Sequence, residues 1–198
     1  SPRLDFDLRD DGVWKVLKLM GPAIIGVSIT QISLLINTIF ASFLQQGSVS
    51  WLYFADRLME FPAGVLGVAL STVFLPALSS SFSNKKYEEF NKLMNWSIRI
   101  GLLVSIPAAI GIAVLSIPLI TTLFYYGKFS ELDLVMTHKA LFAYSFGLIG
   151  LIMIKVFAPV FYSQKNIKTP VRIAVITLFV TQAMNLILIP YFQHVGLA

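Results

Sequence analysis

Apolar residues in this chain run in long blocks free of charge, at 19–55, 61–84, 100–127, 140–154 and 173–193. A helix needs about 20 residues to cross the hydrocarbon of a bilayer, and most of these blocks reach that length. The fourth block is short between its flanking charges. It extends to about 136–162 if Lys155 snorkels or faces a cavity. The first block exceeds one span, so it divides into a helix and a loop at Gln45, Gln46, Gly47 and Ser48, with the next helix beginning near Ser50. The pattern predicts five transmembrane helices at about 13–43, 50–80, 90–124, 136–162 and 170–192. The fold class is all-α, a polytopic integral membrane helical bundle.

Breaks between the spans carry their own signals. Asn84 to Glu89 reads as a charged loop, Tyr126 to Asp133 as a Gly-containing turn, and Ser163 to Pro170 as a basic polar turn closing in a helix start. Gly21 and Pro22 predict a bend in the opening turns of the first helix, because proline removes a backbone donor there.

Composition agrees with the periodicity: 57% of residues are hydrophobic and 13% charged, where a soluble domain carries about 25% charged. Basic residues sort by loop. Arg3, Arg9, Lys15 and Lys18 precede the first span; Lys85, Lys86, Lys92 and Arg99 flank the second connection; Lys155, Lys165, Lys168 and Arg172 flank the fourth. The opposite connections hold only Lys128 and Lys139, offset by Glu131 and Asp133. The bias predicts a cytoplasmic start and a far side at Gly196, with Arg57 near the outer end of the second span. It also accounts for the net charge of +5 without any nucleic-acid partner, since attraction to anionic membrane lipids suffices. With no cysteine, disulfides and thiol chemistry are excluded. A chain opening SPRLDFD, with no initial methionine and an odd number of spans, reads as part of something longer.

Two stripes of small and polar residues follow the helical repeat. Gly26, Thr30, Ser33 and Asn37 align on the first helix, and Arg57, Glu60, Gly64, Gly67 and Ser71 on the second. Small residues permit close backbone approach, which carries much of the association between helices in lipid. Gln31 and Asn37 read either as packing hydrogen bonds or as ligand contacts, and with Thr181 and Asn185 they outline a cation site that lacks a carboxylate.

Asp56, Arg57 and Glu60 stand at the mouth of an uncharged stretch, where ionisable groups cost roughly 2.5–3.5 kcal/mol each unless they face protein or water. Arg57 has two readings. One is an i to i+3 pair with Glu60, or a link to Asp56, that fixes the helix end. The other is a guanidinium facing a wet cavity, holding phosphate through parallel hydrogen bonds while Glu60 orients or releases it. Lys155 is open between snorkelling and anion contact. His138 and His194 read as solvated, and two isolated histidines make no metal site. No catalytic triad, metal-binding carboxylate pair or phosphate-cradling glycine loop is visible, so neither enzyme chemistry nor a cofactor is indicated.

Three segments carry a more specific resemblance: MGPAIIGVSITQISLLINTIFASFL at 20–44, GSVSWLYFADRLMEFPAGVLGVALSTVFLPALS at 47–79 and LIGLIMIKVFAPVFYSQKNIKTPV at 148–171. They resemble the bacterial lipid II flippase family known as MurJ or MviN, over nearly the whole chain. The resemblance implies the multidrug/oligosaccharidyl-lipid/polysaccharide exporter superfamily, fourteen helices in two lobes around a central cavity, and an inner-membrane location. Residues 1–198 then correspond to helices seven to eleven, the start of the C-terminal lobe.

It implies that Arg57, with Glu60, contacts the diphosphate of lipid II, the undecaprenyl-diphosphate-linked muropeptide, and that the remaining helices of the transporter are partners. Asp56, Gln31, Asn37, Lys155 and Asn185 are further candidates for cavity or ion contacts on the residues' own chemistry, with packing or snorkelling as the alternative. Some relatives place an acid where this chain has Asn37, which weakens a carried-over sodium site. The rival readings are a polysaccharide-lipid or multidrug exporter of the same fold, a non-transporting structural membrane subunit, and an enzyme acting on polyprenyl diphosphates.

Overall fold

The computed structural model describes the backbone of residues 11–198, and the surroundings of Gly21, Ile24 and each residue from Ser28 onward. Arg3, Arg9, Lys15, Lys18, the Pro22 ring and the Gly26 position of the first stripe lie outside the described residues. Five helices follow one another: α1 Asp11–Ser42, α2 Ser48–Ser83, α3 Tyr87–Phe124, α4 Glu131–Ser163 and α5 Lys168–Phe192, ending in a short 3-10 turn, Gln193–Leu197. α2, α3, α4 and the stretch Lys168–Leu197 are each long and apolar enough to cross a membrane, and Ser28–Ser42 is a shorter apolar helix.

Two helix starts lie earlier than their apolar blocks suggest. α4 begins at Glu131 because Ser130 and Asp133 form a reciprocal capping box: the Ser130 hydroxyl accepts from the Asp133 amide, and the Asp133 carboxylate accepts from the Ser130 amide. α3 begins at Tyr87, so Glu88 and Glu89 lie in its first helical turn rather than in a loop. Carboxylates there meet the exposed amides of the helix start, and exposed pairs Lys92–Glu88 and Lys86–Glu89 add local contacts.

α4 is the centre of the bundle, packed between α2 and α3. On α3, Ser97, Gly101, Ser105 and Ala109 recur every four residues and are buried as one small-residue face. The hydroxyls of Ser97, Ser105 and Ser116 donate to carbonyls three residues back in their own helix, so they need no partner across the interface. Ser145 and Ser163 do the same on α4. α2 offers Trp51, Ala55, Met59, Ala63 and Gly67 at the same four-residue spacing. Ala55, Met59, Ala63, Ala109, Ile120, Ala140, Leu141, Leu148 and Ile152 form the shared core.

The two stripes anticipated on α1 and α2 go to different neighbours. Gly67 of α2 lies under the Lys155 stem of α4, and Ser71 donates to the Lys155 carbonyl at 2.7 Å. Asn37 of α1 turns instead to α5. Among the described residues the chain thus folds as a trio, α2–α3–α4, beside a pair, α1–α5, with little contact between α1 and α2.

One end of the trio is closed by a polar and aromatic cluster. Gly47 adopts the left-handed conformation at φ 104°, and the buried Trp51 ring lies where a side chain at 47 would project. The Trp51 indole donates to Asp133 at 2.7 Å, joining α2 to the start of α4. The 3-10 turn folds back over this end and brings His194 edge-on to Trp51, with ring centroids 5.2 Å apart.

Close packing on α3 generates a paired test. A side chain at Gly101 would meet Met153 Sδ and Val156 Cγ2 at 3.0 Å, whereas Gly111 has nothing within 4 Å. Gly101→Leu is expected to destabilise the full chain in detergent by about 1–3 kcal/mol through overpacking, seen as a lower melting midpoint, with Gly111→Leu near wild type. Equal midpoints for the two variants would contradict the packing described here.

Candidate functional site

α2 places Arg57 and Glu60 one turn apart on its surface, at the end away from its break at Asn84. Arg57 Nη1 donates to Glu60 Oε2 at 2.5 Å, and the two side chains are 53% and 62% exposed. The guanidinium also lies 5.0 Å from the centroid of the Tyr53 ring, one turn earlier. Tyr53 and Glu60 therefore hold the same cation from two sides. Arg57 thus pairs with Glu60, as its spacing of three suggests, and its side chain stays about half exposed. A guanidinium presents five donors, and Glu60 accepts from one terminal nitrogen.

Asp56 takes no hydrogen bond from Arg57. It is half-buried and within electrostatic reach of Tyr144 on α4. Gly64 continues the Arg57–Glu60 line and has nothing within 4 Å, whereas Gly67 and Ser71 on the same line are covered by α4. The stripe therefore divides into an open half bearing the charges and a packed half bearing the small residues. Lys155 belongs to the packed half: its stem fills the space over Gly67, while the residue as a whole remains exposed.

A second polar cluster joins α1 to α5. Asn185 Nδ2 donates to Asn37 Oδ1 at 2.9 Å, and Gln182 Nε2 approaches the same oxygen at 3.5 Å. Asn185 Nδ2 also lies 3.4 Å from Gln182 Oε1. Asn185 is the buried residue of α5, so this helix meets its partner through a polar contact rather than a broad apolar core. Amide hydrogens point at amide oxygens in this arrangement, which makes it an interhelical tie. Gln31 is exposed and Thr181 half-buried, and neither joins the tie. Gln182 was not singled out from the sequence; its spacing of three from Asn185 is the signal that finds it.

The histidines correct the expectation that both are solvated. His194 is 3% exposed, with Nε2 3.2 Å from the Met136 carbonyl, because the 3-10 turn folds it under the bundle end. His138 is half-buried, with Nδ1 2.8 Å from Ser116 Oγ on α3. Among the described residues, no group of three or more histidine, cysteine, aspartate or glutamate side chains is placed to hold a metal ion.

Comparison with known proteins gives this geometry a family. The family profile described as "Lipid II flippase MurJ" matches residues 1–198. A probable lipid II flippase MurJ of Buchnera aphidicola subsp. Schizaphis graminum is 49% identical over 197 residues, covering 100% of this chain and 38% of that protein. A lipid II flippase MurJ of Burkholderia cenocepacia is 47% identical over 190 residues, covering 96% of this chain and 37% of that protein. The chain thus spans under two-fifths of the length of these relatives.

Among solved structures, a lipid II flippase MurJ in an inward closed conformation superposes with a TM-score of 0.82 at 27% identity, over 98% of this chain and 41% of that one. A multidrug resistance transporter of the MATE family, in the MOP superfamily, superposes at 0.80 with 15% identity over 92% of this chain and 40% of that one, a likeness of fold alone. Long apolar helices, the charged mouth of α2 and a family match across the full sequence lead to one conclusion: this multi-pass membrane chain belongs to the MurJ family of lipid II flippases.

Proposed function

We propose that this chain forms part of a flippase that moves lipid II, the undecaprenyl-diphosphate-linked peptidoglycan precursor, from the inner to the outer leaflet of the bacterial inner membrane. The observation that carries the reading is the Arg57 guanidinium, half-exposed on α2 and held by Glu60 and Tyr53, in a chain of this family. A diphosphate needs compensating positive charge once it leaves water, and a planar guanidinium supplies that charge with paired donors. Glu60 keeps Arg57 neutralised while the cavity is empty and yields it to the incoming phosphate oxygens. The helices then rock between inward-open and outward-open states around the bound head group, while the isoprenoid tail stays in lipid.

In this reading residues 1–198 are the start of the C-terminal lobe, and the first residue faces the cytoplasm. On this proposal Asp56, Gln31, Asn37, Lys155 and Asn185 serve as cavity or packing residues of the lobe. The Asn37–Asn185–Gln182 tie supports a structural role for the α1–α5 contact, with the membrane potential acting on the cationic cavity at about 2.3 kcal/mol per charge per 100 mV.

Two experiments test the proposal. In cells depleted of their own lipid II flippase, this chain joined to the remaining helices of a close relative is expected to restore growth, and Arg57→Ala and Arg57→Lys in the same setting are both expected to insert normally and fail. Rescue by both variants, or by Arg57→Met, would make Arg57 a residue that merely fixes the helix end. Topology is checked separately with single cysteines on a cysteine-free background. An impermeant maleimide is expected to label Gln46→Cys and Lys128→Cys from outside the cytoplasmic membrane, and to label Lys86→Cys and Gln164→Cys only after permeabilisation. The reverse pattern would invert the orientation and reject the assigned direction of transport.

A further inference from the structure

Two neighbours of unlike chemistry hold Arg57. Glu60, three residues on, accepts a hydrogen bond from one guanidinium nitrogen, and the centroid of the Tyr53 ring, four residues back, lies 5.0 Å from the guanidinium carbon. All three residues sit within about two turns of α2, so the arrangement travels with that helix. An acid and an aromatic ring respond differently to an arriving anion. A phosphate competes with the Glu60 carboxylate for the same N–H donors, and the two anions repel each other. It has no such conflict with Tyr53, because the ring attracts the cation through its negative face and carries no charge of its own.

The ring is itself anchored. Tyr53 meets Phe54 edge-on with centroids 5.9 Å apart, and Phe54 packs on Phe124 at the end of α3 at 4.7 Å. Phe54 also meets Phe129, in the connection between α3 and α4, edge-on at 5.6 Å. A continuous run of aromatic contacts therefore leads from the α3–α4 connection to the guanidinium. Aromatic pairs of this geometry hold their partners in defined orientations, so the Tyr53 ring is a fixed platform for a long and otherwise flexible side chain.

We propose that Tyr53 is a positioning residue for the diphosphate contact: its ring keeps the Arg57 guanidinium in place while the hydrogen bonds of Arg57 pass from Glu60 to phosphate oxygens. The inference rests on the reading of Arg57 as the lipid II contact and assigns the element that holds Arg57 through the exchange. An arginine released by its carboxylate regains its rotamer freedom, and ordering it again weakens the binding of the substrate. The ring supplies this restraint, and the phenolic hydroxyl is not needed for it.

The test is native mass spectrometry of this chain joined to the remaining helices of a close relative, released from micelles over a series of undecaprenyl diphosphate concentrations. Arg57→Gln is expected to lower the apparent affinity for that lipid. Tyr53→Leu is expected to lower it about two- to tenfold, the worth of immobilising one long side chain, and Tyr53→Phe to preserve it. Tyr126→Leu, which removes an exposed ring at the same bundle end, should match wild type. In the Arg57→Gln background Tyr53→Leu should cost nothing further, because a positioning residue acts only through the group it positions. Wild-type affinity in Tyr53→Leu, an equal loss in Tyr53→Phe or Tyr126→Leu, or a further loss in the double variant would each overturn the proposal and leave the Arg57 contact standing. No retention by wild type, or wild-type affinity in Arg57→Gln, would overturn both. If Tyr53→Leu lowers the melting midpoint, the double variant decides: a loss confined to the Arg57 background supports the role, and a loss that persists without Arg57 rejects it.

Discussion

Everything in this bundle depends on how closely α4 can approach α2 and α3. Lipid tails are as apolar as leucine, so burying apolar side chains between helices gains little, and contact density has to supply the attraction. Small residues at four-residue intervals make that density possible. Ser97, Gly101, Ser105 and Ala109 let α3 come near enough for Met153 and Val156 to reach its backbone. Gly67 does the same on α2 for the stem of Lys155. Serine serves here as a small residue whose polarity is satisfied at home, since the buried serines Ser97, Ser105, Ser116, Ser145 and Ser163 each return a hydrogen to their own helix.

The polar side chains that do reach across interfaces are few and positioned. Asp133 ties the ends of α2 and α4 through Trp51 while capping its own helix, and His194 closes over the same end. The amides of Asn37, Gln182 and Asn185 join α1 to α5. Against this frame, the open half of the α2 stripe stands out. Arg57 and Glu60 are held to each other and to Tyr53 without being covered by a neighbouring helix. The proposed exchange of Arg57 between a carboxylate and a phosphate rests on this uncovered ion pair, backed by a closely packed trio.

Much of this was legible in the sequence because membrane helices announce themselves through uninterrupted apolar length. The break at Gln45–Ser48 was readable from glutamines and a glycine, and the pairing of Arg57 with Glu60 from their spacing of three. What escaped depends on three-dimensional return of the chain. His194 lies in a polar-looking tail, yet a short turn folds it beneath the bundle, and no periodicity announces such a reversal. His138 finds Ser116 on another helix, a pairing no local pattern contains. By contrast, the capping box at Ser130 and Asp133 and the small face of α3 were present as spacing signals but were masked by the stronger hydropathy pattern. Glu88 and Glu89 looked like loop because charge reads as solvent, although acids are favoured in a first helical turn.

The tie between α1 and α5 has a consequence for how the chain is made. Asn37 enters the bilayer early, but its partner Asn185 lies 148 residues later, with three membrane helices synthesised between them. At roughly 5–20 residues per second, the interval is on the order of 7 to 30 s. For that time the Asn37 side-chain oxygen lacks its final donors in a medium that offers none. Biogenesis of this chain therefore includes a waiting period, during which α1 is retained near the translocation site, or Asn37 is solvated by a temporary neighbour, until the fifth helix arrives.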